Sequence, residues 1–330
     1  MNITMAELKK SMEREGYISE DSLALTVYLA LTLKKPLLVE GAPGVGKTEI
    51  AKVLGRVFDT DVLRLQCYEG LDENKALYEW NYQRQLLKIQ IMKDACAREN
   101  IEKDLFDQEY LLERPLLKAI RSEKRVVLLI DEVDKVDEPF EAFLYELLSD
   151  FQVSIPELGT IEAREIPIVV LTSNGERELS DGLKRRCVYL YIDYPDIEKE
   201  VRILQTKVPE AGDRLNRQVA AAVNYIRSNM DLVKQPSIAE TLDWARSLVA
   251  LHADSLGPEN IAMTAGLLLK NRDDQLQVTS EDTLKALLQS VEDGACGEKH
   301  SAGGCSCGHG SHRHGVHTHV AQIDTDTVTK

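Results

Sequence analysis

Aromatic side chains are scarce in this chain of 330 residues: five Phe, two Trp and eleven Tyr make up 5% of it. Leu, Ile and Val must therefore build the core, and there is little material for the aromatic platform on which single-stranded nucleic acid stacks. Positive charge is also short, with 40 Lys and Arg against 55 Asp and Glu and a formal net charge of −15. Duplex binders gain affinity by neutralising phosphates with a basic face, so the balance argues against nucleic acid and leaves room only for a local patch. No run approaches the ~20 apolar residues of a membrane span. The N-terminus, Met1-Asn2-Ile3-Thr4-Met5-Ala6-Glu7, lacks the basic start and apolar core of a secretory signal. A soluble cytoplasmic protein is expected. Cysteine is thin too: Cys67, Cys96 and Cys187 are scattered and read as reduced thiols, while the other three sit near the C-terminus.

Against these absences stands one dense signal. Residues 41–48 read Gly41-Ala42-Pro43-Gly44-Val45-Gly46-Lys47-Thr48 and fit G-x-x-x-x-G-K-[ST] at every fixed position. The apolar Pro36–Glu40 precedes it, and the helically spaced Glu49–Leu54 follows. Strand, glycine turn and helix are what phosphate binding requires. Glycines let backbone N–H groups close around phosphate oxygens, and the helix points its positive end at the same anion. Lys47 is expected to reach the outer phosphates, and Thr48 to hold Mg²⁺, with Glu49 opening the helix.

The remaining pattern predicts an α/β parallel sheet flanked by helices, then an all-α domain, then a tail. An apolar helix over Leu23–Leu33 is preceded by Ser19 as its cap. Strands are expected at Val62–Gln66, at Val126–Ile130, at Ile168–Leu171 and at Val188–Ile192, the inner ones as continuous apolar runs. A long insert from Tyr68 to about Lys124 contains a predicted helix, Tyr82–Arg98. A helix at Glu138–Phe151 and a hairpin at Gln152–Arg164, turning at Glu157-Leu158-Gly159, complete the first domain, residues 1–195. Residues 196–293 show helical periodicity only, with helices at Ile197–Val208, Leu215–Met230, Ile238–Ala253, Glu259–Leu269 and Glu281–Val291. Thr279 and Asp282 suggest a capping box for the last. Residues 294–330 are Gly-, Ser- and His-rich and predict disorder.

Asp131-Glu132 closes a buried strand. One carboxylate there is placed to hold Mg²⁺ beside Thr48, and its neighbour to take a proton from the attacking water. Asn174 ends the next buried strand, where a short amide can orient that water or touch the γ-phosphate, although Asn before Gly175 also suits a plain turn. Lys184-Arg185-Arg186 stands before the last strand. It reads equally as a solvated basic cluster or as the source of an arginine that reaches a neighbouring subunit's γ-phosphate.

The order GAPGVGKT, VVLLIDEVDK, LTSN and LKRRC, followed by a helical lid, resembles the AAA+ ATPases. Within them, Asp131 through Glu146-Leu147-Leu148 and Gln152–Ile155 is similar to the MoxR group. Tyr68–Asp72, Glu79–Tyr82 and Leu183–Ile192 point to its CoxD branch. The resemblance implies ATP with Mg²⁺, Lys47 and Thr48 as Walker A, Asp131 and Glu132 as Walker B, and Asn174 as sensor 1. Arg186 would be the arginine finger, with Arg185 its rival. It further implies a homo-oligomeric, hexameric ring, an adenine pocket beginning at Tyr17 and Ile18, and a partner carrying a von Willebrand factor A domain. The implied role is chaperone-like remodelling of a client metalloenzyme, carbon monoxide dehydrogenase or a related molybdenum hydroxylase. One stretch departs from the pattern: Gln235-Pro236-Ser237-Ile238 has no arginine after the proline where sensor 2 is expected, with Lys234 and Arg246 the nearby cations.

The tail carries Cys305, Cys307, His309, His312, His314, His317 and His319, with Cys296 and His300 before them. Thiolate and imidazole suit Cu, Zn or Ni. The spacing matches no zinc finger, so a metal-handling segment and an adventitious binder both fit. Two other functions were weighed: a nucleic-acid motor or clamp-loader-like ATPase, and a metal-binding scaffold whose assembly ATP controls.

Overall fold

Strands buried on both faces need apolar residues at every position, and the uninterrupted runs of this sequence become the inner strands of a parallel sheet. The structure is a computed structural model that describes residues 3–94, 110–156 and 158–296. Helices α1 (Met5–Arg14) and α2 (Asp21–Leu33) precede β1 (Leu37–Gly41), α3 (Lys47–Val57) and β2 (Val62–Gln66). The insert holds α4 (Glu73–Ala76), β3 (Tyr78–Trp80), α5 (Tyr82–Asp94) and β4 (Leu111–Glu113), and α6 (Pro115–Arg121) leads into β5 (Val127–Asp131). After a 3-10 turn at Val133–Lys135 come α7 (Glu138–Asp150), β6 (Gln152–Ile155), β7 (Gly159–Glu162), β8 (Ile168–Ser173), α8 (Asp181–Arg186) and β9 (Val188–Ile192). Six helices follow: α9 (Ile197–Lys207), α10 (Gly212–Asn229), α11 (Ile238–Ala250), α12 (Pro258–Leu268), α13 (Arg272–Val278) and α14 (Glu281–Cys296).

The sheet order is β2-β5-β8-β1-β9, and every pairing is parallel. The register sets Gln66 beside Asp131, Glu40 beside Ser173 and Gly41 beside Ile192. The carboxyl ends of the strands therefore share one edge, the place where open α/β sheets bind ligands. Alternate residues feed two apolar layers. Leu37, Val39, Val127 and Leu129 pack with Leu8, Leu23 and Ile50, while Leu38, Leu128 and Ile130 pack with Leu116, Leu117 and Leu144. The helices after β9 bury a third cluster around Leu204, Val219, Trp244 and Leu287. Helix starts follow capping chemistry. Asp137, Ser180, Asp196 and Ser237 each accept a first-turn backbone N–H, and Pro115, Pro139 and Pro258 lie in first turns where a missing donor costs nothing.

The hairpin forms as β6–β7, and the strands fall where the apolar runs place them. Two caps differ from expectation. Ser19 is buried and Glu20 is the N-cap of α2. Thr279 ends α13 instead of starting α14, donating to the Gln275 carbonyl, because the turn at Ser280 separates two helices. Helix α1, with a Thr4–Glu7 capping box, and the short β3–β4 ladder were not anticipated. Of the predicted helix to Arg98, residues 82–94 are helical and the remainder lies outside the described residues. Cys305, Cys307, His309, His312, His314, His317 and His319 also lie outside them. Among the described residues, no helix is long and apolar enough to cross a membrane. Burial pushes the thiols of Cys67 and Cys187 up to about 12, which keeps both protonated and inert.

Candidate active site

The loop between β1 and α3 is gripped from two sides. A Cβ on Gly41 would lie 2.1 Å from the Ile192 carbonyl oxygen, and one on Gly44, at φ +76°, would lie 2.4 Å from Ser237 Oγ. Only glycine allows both approaches, so β9 and the start of α11 bracket the loop. Lys47 is 6% exposed. Its Nζ donates to the carbonyl oxygens of Gly41 (2.7 Å) and Ala42 (2.8 Å) and to Asn174 Oδ1 (2.8 Å). Three donors meet three acceptors, as a buried ammonium requires, and all three acceptors are neutral. Burial pushes the Lys47 pKa down, opposed by the charges of Asp134, Asp131, Glu132 and Glu40.

Asp131 ends β5 and is 3% exposed. Its Oδ1 accepts hydrogen bonds from Thr48 Oγ1 (3.1 Å) and Thr172 Oγ1 (2.6 Å), and its Oδ2 accepts one from Arg64 Nη2 (2.5 Å). Thr48 and Asp131 thus face each other as an oxygen pair suited to a hard cation such as Mg²⁺. Glu132 has φ 58° and ψ 52°, a left-handed conformation uncommon for a residue with a side chain. Its N–H donates to Thr172 Oγ1 at 2.9 Å, so a single threonine fixes both acids. The Glu132 carboxylate has no hydrogen bond or ion pair among the described residues, and it borders the cavity above Thr48. Asp134, 4% exposed, accepts the backbone N–H groups of Asn174 and Glu176 on Oδ2, both at 3.0 Å. Its Oδ1 is buried without a hydrogen-bond partner among the described residues.

Two chambers meet over the loop. The polar one, about 300 Å³, is bordered by Lys47, Thr48, Asp131, Glu132, Thr172 and Asn174. The apolar one, about 330 Å³, is bordered by Tyr17, Ile18, Ile192, Ile203, Ile238 and Leu242. Gly44, Gly46, Glu49 and Ala239 belong to both. An anion-binding half joined to an apolar half of this size matches a nucleoside polyphosphate in charge distribution. No lid cation borders the polar chamber among the described residues. Lys234 pairs with Glu240 at 3.6 Å. Arg246 pairs with Asp243 at 3.1 Å and borders the apolar chamber.

The structure brings together Gly41 to Glu49, Asp131, Glu132 and Asn174, and it separates the two neighbouring arginines. Arg186, the last residue of α8, rests its side chain against α7: its Nε donates to Ser149 Oγ (2.6 Å), its Nη1 to the Gly182 carbonyl (2.8 Å), and its guanidinium carbon sits 4.3 Å from the centroid of the Tyr145 ring. Arg185 is exposed and has no ionic or hydrogen-bonding side-chain partner among the described residues. Thr172, Asp134 and Arg64 were missed by sequence reasoning. Asp134 had a signal, a third acid within Asp131-Glu132-Val133-Asp134; Thr172 and Arg64 are ordinary strand residues in sequence.

Residues 36–187 match the AAA domain family, dynein-related subfamily. Uncharacterised proteins of Staphylococcus aureus strains USA300 and bovine RF122 / ET3-1 are 24% and 25% identical over 250 and 256 residues, covering 73% of this chain and 86% of theirs. Among solved structures, the chain is similar to the Thermotoga maritima RuvB Holliday junction branch migration motor, with 17% identity, a TM-score of 0.44 and coverage of 86% of this chain and 82% of that one. A RuvB mutant from the same organism shows 18% identity, a TM-score of 0.45 and coverage of 88% and 83%. Lys47, Thr48, Asp131, Glu132 and Asn174 all lie within the segment that matches the AAA domain family, and an ATPase is the enzyme that this match supports.

Proposed function

We propose that the chain is an ATP-driven motor that remodels a client metalloenzyme while its metal centre is built, as its resemblance to the MoxR group and the CoxD branch implies. The observation that carries the catalytic part is the meeting, at one strand edge, of a Lys47 held by neutral acceptors with a Glu132 carboxylate that has no hydrogen-bond or ionic partner among the described residues. The triphosphate occupies the polar chamber and the purine the apolar one. Lys47 transfers its donors to the outer phosphates, because charge-assisted bonds are stronger than bonds to carbonyls. That transfer frees Asn174 Oδ1 to orient the attacking water, while Asp134 holds the Asn174 backbone. Glu132 accepts the water's proton. Thr48 and Asp131 hold Mg²⁺, which supplies neutralisation of phosphate charge. The working form is a homo-oligomeric ring, of six subunits as in the MoxR group, in which Arg185 or Arg186 reaches the neighbour's γ-phosphate. The free guanidinium of Arg185 favours Arg185, with Arg186 anchoring their short helix. Tyr82, Leu86 and Leu87 are 64%, 60% and 58% exposed on α5. They form an apolar surface suited to a partly folded client or to a von Willebrand factor A domain partner.

The test compares ATP hydrolysis by wild type, Lys47→Ala and Glu132→Gln, with assembly followed by light scattering. Mg²⁺-dependent hydrolysis lost in both variants, and ATP-dependent rings kept in Glu132→Gln, is the expected result. Hydrolysis by Lys47→Ala would refute the catalytic assignment. For the client role, a molybdenum hydroxylase is assayed for activity and metal content in cells carrying only Glu132→Gln. Full maturation there would sink the motor reading and leave an ATP-controlled scaffold. Deleting residues 295–330 under limiting Cu, Zn or Ni tests whether the tail feeds metal to that process; unchanged metallation would make the tail adventitious.

A further inference from the structure

Arg227, near the end of α10, is an almost fully buried guanidinium with partners on three other segments. Its side chain is 7% exposed and that of Glu200, on α9, 1%. Nη1 and Nη2 donate to the two Glu200 carboxylate oxygens at 2.8 and 3.1 Å, a bidentate pair. Nε donates to the Pro236 carbonyl at 2.8 Å, and Nη2 also reaches Thr241 Oγ1 at 3.4 Å. The guanidinium carbon lies 4.7 Å from the centroid of the Tyr194 ring. Tyr194 follows β9 by two residues, in the link to the lid. Pro236 precedes Ser237, the N-cap of α11, which stands against Gly44 in the phosphate loop. Ala239, the second residue of α11, borders both chambers. A single side chain therefore joins the link, two lid helices and the segment that touches the loop.

Stability alone does not explain such a pair. Two charges taken out of water regain little on balance, and apolar residues of similar volume commonly serve a fold as well. What the planar fork adds is direction: it fixes the Pro236 carbonyl, the Thr241 hydroxyl and the Tyr194 ring relative to one another. With no lid cation bordering the polar chamber among the described residues, contact between lid and phosphate loop runs through the start of α11. We propose that Arg227, held by Glu200, is a positioning residue for the ATPase, setting where the start of α11 rests on the phosphate loop and so coupling nucleotide binding to the lid. This rests on nucleotide occupying the two chambers.

That premise is tested first and separately. A fluorescent ATP analogue should bind wild type and fail to bind Lys47→Ala; any other result removes the premise without bearing on Arg227. The proposal is then tested with two variants. The double variant Arg227→Met with Glu200→Met replaces the pair by apolar residues, and Arg227→Lys keeps the charge and loses the fork. Melting curves establish folding. In each folded variant the analogue should bind about tenfold more weakly, within the usual span of coupling between sites. Hydrogen exchange should show ATP-dependent protection of residues 237–242 in wild type and not in the variants. A folded variant with wild-type affinity and wild-type protection overturns the proposal. If the double variant does not fold, Arg227→Lys alone decides by the same two readings.

Discussion

Lys47 and Arg227 are both buried cations, and the protein holds them in opposite ways. Lys47 lies among two backbone carbonyls and an amide oxygen, with no carboxylate in contact. Arg227 is locked onto a carboxylate at both ends of its fork and stacked on a tyrosine. A cation satisfied by neutral acceptors can exchange them for phosphate with little loss. A cation paired to a buried carboxylate cannot leave without stranding that charge. The core thus holds its charge ready to move, and the lid holds its charge still.

The sharpest break of this contrast is Lys47→Ala. Two or three charge-assisted hydrogen bonds to phosphate, about 1.5–3 kcal/mol each, go with it. ATP-analogue affinity should fall by about a hundredfold or more, while urea denaturation changes little beside it. Next comes Glu200→Leu, which leaves Arg227 buried and unpaired. Urea denaturation should show a loss of about 3–5 kcal/mol; a loss below about 1 kcal/mol would mean that the lid cation is as free as the core one. Thr172→Val sharpens the core side. It removes the hydroxyl that accepts the Glu132 N–H and donates to the Asp131 carboxylate, so kcat should fall by at least about tenfold, the worth of one neutral hydrogen bond and one to a charged group, with nucleotide affinity falling less. Equal losses in both would place Thr172 in binding instead.

The smallest effect is in pH. Burial holds the Lys47 pKa below the ordinary 10.5. In the window between its folded value and 10.5 the unfolded chain binds more protons, so the protein without added nucleotide gains stability as pH rises there. Nucleotide affinity runs the other way, because the phosphates need the charged form. Titration of the fluorescent analogue from neutral pH upward should show weakening that sets in below the ordinary lysine value, and Lys47→Arg should abolish that alkaline limb. A limb that survives in Lys47→Arg would assign it to another group.

The core site was largely legible because its chemistry is local in sequence. Gly41 to Thr48 is one turn and a helix start, and Asp131-Glu132 is one strand end; adjacent residues report adjacent atoms. The lid pair was not legible. Arg227 and Glu200 are 27 residues apart, each on an amphipathic helix whose charges read as a solvated face, and only the packing of α9 on α10 buries them. Asp134 and Thr172 act on atoms of other residues, which no spacing rule describes. The start of α1 was readable in Thr4-Met5-Ala6-Glu7 as a capping box. The resemblance ranks Arg186 ahead of Arg185, whereas exposure depends on which of them α7 captures, and it captures Arg186.

The partners of Lys47 bear on turnover as well as on binding. Gly41, Ala42 and Asn174 form a competitor for the lysine that is covalently attached and so never diffuses away. Each time a phosphate bond to Lys47 loosens, these three oxygens are at hand to take the ammonium back. On the proposed function, spent nucleotide, with one phosphate fewer to offer, loses that contest sooner than fresh ATP does. The lysine proposed to capture the fuel would by the same three contacts hasten ejection of the exhaust, and a cycling machine needs both.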